Sequence, residues 1–219
     1  MKQRVLHQPV EVQSRLAELG LDPEALAQVI KRGYVAFTLC TPNDPPLFPG
    51  FAAWAQTVRA LREYLVPQGW RRCDENNYSL VINPSEDMAI AVATGDDGTG
   101  RVDATPTTKS SKGPSTAEAV VANQAQLTFE FELPEATTAD DGPEEPADER
   151  MTWLLLVHRG EGEVRSELSL PRSMGTDGRI DSWQERIVLG SMPIDPTEID
   201  ITPPSPVMPD IEVDVKRRA

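Results

Sequence analysis

The sequence predicts an α+β fold, with N-terminal helices packed on a mainly antiparallel sheet of about five or six strands. Three observations carry that prediction. Apolar residues recur at helical spacing as far as Leu65. From Tyr78 onward they alternate, or run unbroken, in short blocks separated by turn residues. Two stretches, 134–150 and 193–219, are too polar or too proline-rich to join either pattern.

The helices come first. Val12, Leu16 and Leu19 lie at i, i+4 and i+7, and Gly20 supplies the stop. Asp22 caps a second helix with Pro23 in its first turn. Leu26, Val29 and Ile30 face inward, and Gly33 is expected to end it. Cys40–Pro49 is a proline-dense loop. A third helix places Trp54, Val58, Leu61 and Leu65 on one stripe, with Arg59, Arg62 and Glu63 on other faces, and closes at Pro67–Gly69.

The strands follow. Tyr78–Ile82 and Met88–Ala93 flank a turn at Asn83–Asp87. In the second of these, Met88, Ile90 and Val92 alternate with three alanines, so a partner should approach closely on the alanine side. Residues 94–116 read as a flexible loop, since Gly, Pro, Ser and Thr fill most of it. Ser115 and Glu118 have capping-box spacing ahead of a short helix, Ala117–Gln126. Leu127, Phe129, Phe131 and Leu133 alternate as a half-exposed strand. Thr152–His158 is almost unbroken apolar chain, expected of a central strand covered on both faces. Val164–Leu170 and Arg186–Leu189 complete the sheet.

The insert 134–150 carries seven acidic residues and one Arg, hence −6 of the chain's net charge of −14, and reads as disordered. The residues from Pro193 onward form an extended proline-rich tail with two alternating apolar segments: Ile199 with Ile201, and Ile211, Val213 and Val215. One domain over 1–192 with that tail at 193–219 is the expected organisation. The N-terminus lacks an apolar signal core, and the longest apolar runs fall far short of the roughly 20 residues of a membrane span. Two cysteines, Cys40 and Cys73, make neither a disulfide framework nor paired metal spacing. The expected setting is cytoplasmic, without membrane contact, and 16 Arg against 5 Lys has the flavour of a GC-rich bacterial genome.

No catalytic, cofactor or metal constellation emerges. Gly95–Gly100 follows a strand, but its glycines run G-x-x-G-x-G and no helix starts behind them. Asp96 and Asp97 are adjacent carboxylates without a third from another element, and His158 ends an apolar strand without a nucleophile placed by motif. The alternating acids Asp210, Glu212 and Asp214 before Lys216 read as a charged edge strand rather than a nuclease centre. The leading expectation is therefore a non-catalytic interaction protein, an adaptor or accessory subunit of a larger assembly. It would dock on protein partners partly through Ile199, Ile201, Ile211, Val213 and Val215 of the tail, by strand addition. Nucleic-acid or anion binding by Arg59, Arg62, Arg71, Arg72, Lys109 and Lys112 is the alternative. A hydrolase or nuclease of unfamiliar type would require Asp96, Asp97 and His158 to converge in one cleft with a basic group.

Overall fold

In the computed structural model, which describes residues 3–129 and 150–194 (backbone alone for 125–129), helices cover both faces of a seven-stranded mixed sheet. The elements run β1 (Arg4–Leu6), α1 (Pro9–Glu18), α2 (Pro23–Thr38), α3 (Phe48–Leu65), β2 (Arg71–Cys73), β3 (Leu80–Ile82), β4 (Met88–Thr94), α4 (Pro114–Phe129), β5 (Met151–Arg159), β6 (Glu163–Met174) and β7 (Ile180–Pro193). Their order across the sheet is β1-β7-β6-β5-β4-β3-β2. The β1–β7 and β4–β5 pairs are parallel, the rest antiparallel.

The sheet has seven strands where the sequence suggests about five or six: two short strands are added, and residues 127–129 of one expected strand are helical. Both extra strands, β1 and β2, are three-residue edges reading RVL and RRC, too short and too charged to show a period. The turn at Asn83–Asp87 forms as expected. Asn83 N–H donates to Met88 O, and Met88 N–H donates to Asn83 Oδ1.

On one face α1, α2 and α3 bury Leu16, Leu26, Ile30, Leu61 and Leu65 against Met88, Ile90, Trp153, Leu155, Leu168 and Ile187. The Asp22 cap is present, its Oδ1 accepting from Ala25 N–H at 2.8 Å. Gly33 does not end α2, which continues for five more residues. Glycine stands there because α3 passes too close for a side chain: a Cβ at Gly33 would land on Thr57 Oγ1.

On the other face Ala91 and Ala93 of β4 lie with Leu154, Leu156, Ile180 and Trp183 beneath Val120 of α4. This is the close partner the alanines call for. Asn123, fully buried, pins α4 to β5 by donating to Thr152 O and accepting from Thr152 N–H. The helix is longer than read from sequence. It starts at Pro114 rather than behind a Ser115 cap, and residues 127–129 are its last turn, not the start of a strand. No glycine or proline follows Gln126 until Pro134, so the Ala/Gln-rich helix runs past it. The rest of that expected strand, the acidic residues 134–149 and the tail from 195 lie outside the described residues.

The segment 95–113 is irregular, as its composition implies, but it is tied down. Thr99 and Thr108 are fully buried, and Trp183 Nε1 donates to Pro106 O at 2.8 Å. Beneath it sits a buried ion pair, Glu167 at 0 % and Arg186 at 1 % side-chain exposure. Arg186 donates to both Glu167 oxygens, to Arg101 O and to Ala104 O. Glu167 also accepts from Gly100 N–H and Ser169 Oγ–H. The pair clamps the loop onto the sheet.

Candidate functional site

Helix α3 ends in a single 3₁₀ turn, Val66–Gln68, and Gly69 at φ 92° reverses the chain into β2. That reversal sets the outer face of α3 beside the free edge of the sheet. Between them opens a groove of about 920 Å³. Its floor is apolar, with Ala55, Val58, Val66, Pro67 and Trp70, and its walls carry Arg59, Arg62, Arg71, Arg72 and Glu63. All four arginines singled out in the sequence therefore meet in one place.

They are not equivalent there. Arg62 grips Asp74 with two nitrogens at 2.7 and 3.1 Å and also donates to Cys73 O and Leu80 O, so it holds the α3–β2 junction together. The bond from Arg62 keeps the Asp74 carboxyl below the usual carboxylate range. Arg59 pairs with Glu63 at 2.7 Å, and Arg32 of α2 reaches the same carboxylate at 2.6 Å. Those two bonds, Arg59 first, lower the Glu63 pKa as well. Arg71 meets Glu86 at 3.1 Å. Arg72 is exposed and forms no side-chain hydrogen bond or ion pair among the described residues. Four guanidinium groups and one carboxylate line the groove, so its lining is net positive in an acidic protein.

The other sequence candidates lie elsewhere. Neither Lys109 nor Lys112 lines the groove. Their backbone amides join Thr94 O and Gly178 O, on the loop that crosses the α4 side of the sheet, and burial pushes the Lys112 ammonium pKa down. At the start of α4, Thr116 N–H and Ala117 N–H already donate to Gly113 O. The six-residue basic patch is thus split. Cys73 lines a separate cavity of about 610 Å³ between β2, β3 and α4, together with Tyr78, Leu80, Ser115 and Thr152. Burial raises the Tyr78 phenol to about 12, so it is a neutral hydroxyl there.

The Asp96, Asp97 and His158 arrangement converges only in part. Asp97 Oδ1 lies 2.6 Å from Arg165 Nη2 and 3.6 Å from His158 Nε2, and its Oδ2 lies 3.2 Å from Arg101. The bond from Arg165 holds the Asp97 carboxyl below the usual carboxylate range. Asp96 turns the other way, accepting from Gly98 N–H and Thr107 Oγ–H. Asp97 is also 76 % exposed and already neutralised by two arginines, so it is a surface tie rather than a base in a cleft. Among the described residues no group of His, Cys, Asp and Glu could hold a metal ion, and no helix is long and apolar enough to cross a membrane. The tail residues Ile199, Ile201, Ile211, Val213 and Val215 lie outside the described residues.

One feature escapes sequence reading. Phe37, Leu39, Leu47, Phe48 and Phe51 are all exposed where α2 turns into α3, Leu47 at 87 %. A signal was present. Phe37 continues the inward stripe of α2 by one more turn, and Phe51 extends that of α3 one turn upstream. Of these, Phe37 lies beneath the Arg159 guanidinium, 5.0 Å from its ring centre.

No protein family, curated protein or solved structure matches this chain.

Proposed function

We propose that the protein is a non-catalytic interaction module, an adaptor or accessory subunit, whose groove between α3 and β2 binds an extended acidic segment of a protein. The observation that supports this most is the uncommitted Arg72 beside the free edge of β2, above an apolar floor. An edge strand offers backbone hydrogen bonds to an incoming strand, and alternate side chains of that strand then meet the floor and the arginines. Among the described residues the outer side of β2 is unpaired.

The groove's arginines equally draw attention to nucleic acid. Single strands are held by cations together with exposed aromatic faces. Trp70 is only 6 % exposed, and Trp54 is tethered through Nε1 to Val92 O, so neither offers a stacking face. A protein segment that brings apolar side chains together with carboxylates is therefore the better occupant.

The test is native co-purification followed by mass spectrometry, comparing wild type with Arg59→Glu/Arg72→Glu and with Lys109→Glu/Lys112→Glu. Partners lost only in the arginine variant support the reading. An arginine variant that stays folded and keeps every wild-type partner defeats it, as does tight, salt-sensitive binding of labelled oligothymidine that the same variant abolishes.

A further inference from the structure

We infer that in the free protein this groove is occupied by the chain's own segment Asp210–Val215, laid against the edge of β2 in the same molecule. The inference rests on the reading of the groove as an acidic-segment site and names its first occupant.

The first argument is chemical fit. Residues 210–215 read Asp-Ile-Glu-Val-Asp-Val. Extended, such a segment turns Ile211, Val213 and Val215 to one side and Asp210, Glu212 and Asp214 to the other. The groove offers the complement: Val58, Val66 and Trp70 on the floor, Arg59, Arg71 and Arg72 above. The acidic stretch 134–149 carries seven carboxylates but lacks alternating branched apolar residues, so it meets only half of that requirement.

The second argument is reach. Ile194 is the last described residue, held by its N–H to Gly162 O at the end of the sheet. Fifteen residues separate it from Asp210, among them Pro196, Pro203, Pro204, Pro206 and Pro209. A proline-rich chain extends ~3.1 Å per residue, hence ~45 Å in all. The path from β7 to β2 crosses five strand spacings of ~4.8 Å, or ~24 Å. The linker spans the distance with slack. An effective concentration in the millimolar range then keeps even a weak contact, with a free-peptide Kd of ~100 μM, closed about 90 % of the time.

The third argument is selectivity between the two sheet edges. β1 lies nearer to β7, but its only arginine, Arg4, faces Glu185 at 3.5 Å. Charge complementarity therefore favours β2. An outside partner with an acidic segment has to displace the tail, so the protein carries its own competitor.

A labelled peptide with the sequence Asp210–Lys216 tests this on full-length protein. Glu212→Lys/Asp214→Lys in the chain should free the groove and raise peptide affinity at least about tenfold over wild type. Adding Arg72→Glu should abolish peptide binding. A chain carrying both Arg72→Glu and Asp214→Arg should regain the closed state, seen as slowed amide exchange over residues 71–73. Equal peptide affinity for wild type and the tail variant overturns the inference, and so does a dimer in light scattering that the tail variant dissolves, because the tail then docks between molecules. If the peptide fails to bind while partner capture still depends on Arg72, only the tail assignment falls. If Arg72→Glu alters neither, the groove reading falls with it.

Discussion

Removing Arg186 should be among the most damaging single changes available to this fold. The Arg186→Met side chain would fill similar volume but donate nothing. Four hydrogen bonds disappear, two to Glu167 and one each to Arg101 O and Ala104 O. Glu167, with no exposed side-chain surface, keeps only Gly100 N–H and Ser169 Oγ–H as donors. An uncompensated buried charge of this kind costs about 3–5 kcal/mol, which for a chain of this size lowers Tm by about 6–20 °C. Replacing both partners, as in Glu167→Leu/Arg186→Leu, should cost clearly less than the two single changes together, because no charge is then stranded. A coupling of about 2 kcal/mol or more is expected. The loop should still loosen in every variant, because its carbonyls lose Arg186. Urea unfolding followed by circular dichroism gives the stabilities, and the Trp183 indole, bonded to Pro106 O, reports on the loop by NMR. A cost below about 1 kcal/mol for Arg186→Met, or single costs that simply add in the double variant, would refute the view that this pair clamps residues 100–104 to the sheet.

Three further outcomes are expected. Gly33→Ala should destabilise by about 1–3 kcal/mol by forcing α2 away from Thr57, and Thr57→Ala should partly rescue it, which a thermal-shift double-mutant cycle will show. Leu47→Glu should change stability by no more than about 0.5 kcal/mol in urea unfolding, since the side chain is almost fully exposed. Acid should weaken the α3–β2 junction. The Asp74 and Glu63 pKa values are lowered in the folded state, so their contribution is present above the ordinary carboxylate pKa of about 4 and is lost as pH falls through the lowered values. Arg62→Met should flatten this acid-side loss in unfolding measured between about pH 5 and pH 2, whereas an unchanged slope would dissociate Arg62 from Asp74.

Periodicity made the layered body legible because its strongest signals are also its most buried elements. The α3 stripe, the bulky-and-small alternation of β4 and the unbroken β5 run each correspond to a core surface. What periodicity missed was short or lacked a stop signal. Three residues cannot show a period, so β1 and β2 were invisible, and Gly33 looked like a terminator although its role is to let two helices touch. The site was legible as composition but not as chemistry. Four arginines near α3 announced a basic patch. Their partners Asp74 and Glu86 lie in turns whose paths only the fold supplies, so nothing in the sequence singled out Arg72 as the uncommitted one. The two lysines looked like part of the same patch because loop 95–113 has no readable course until Arg186 and Trp183 are seen to hold it.

The charge distribution is compatible with the acidic ligand proposed for the groove. A net charge of −14 would repel such a ligand at long range, but at physiological salt the Debye length is about 8 Å. Within that distance the ligand responds to the guanidinium groups of α2, α3 and β2, not to the chain total. Glu63, which lines the groove, and Asp74 and Glu86 beside it pair with its arginines without outnumbering them. Glu63, Asp74 and Glu86 occupy the arginines that build the walls, so a ligand gains little by displacing them. Among the described residues Arg72 forms no side-chain hydrogen bond or ion pair, although its charge helps to lower the Asp74 pKa, so a carboxylate brought to it need break no existing pair. A diffuse polyanion would need several free cations in a row. A single extended strand needs one well-placed cation, an apolar floor and an open backbone edge, and those are what α3 and β2 supply together.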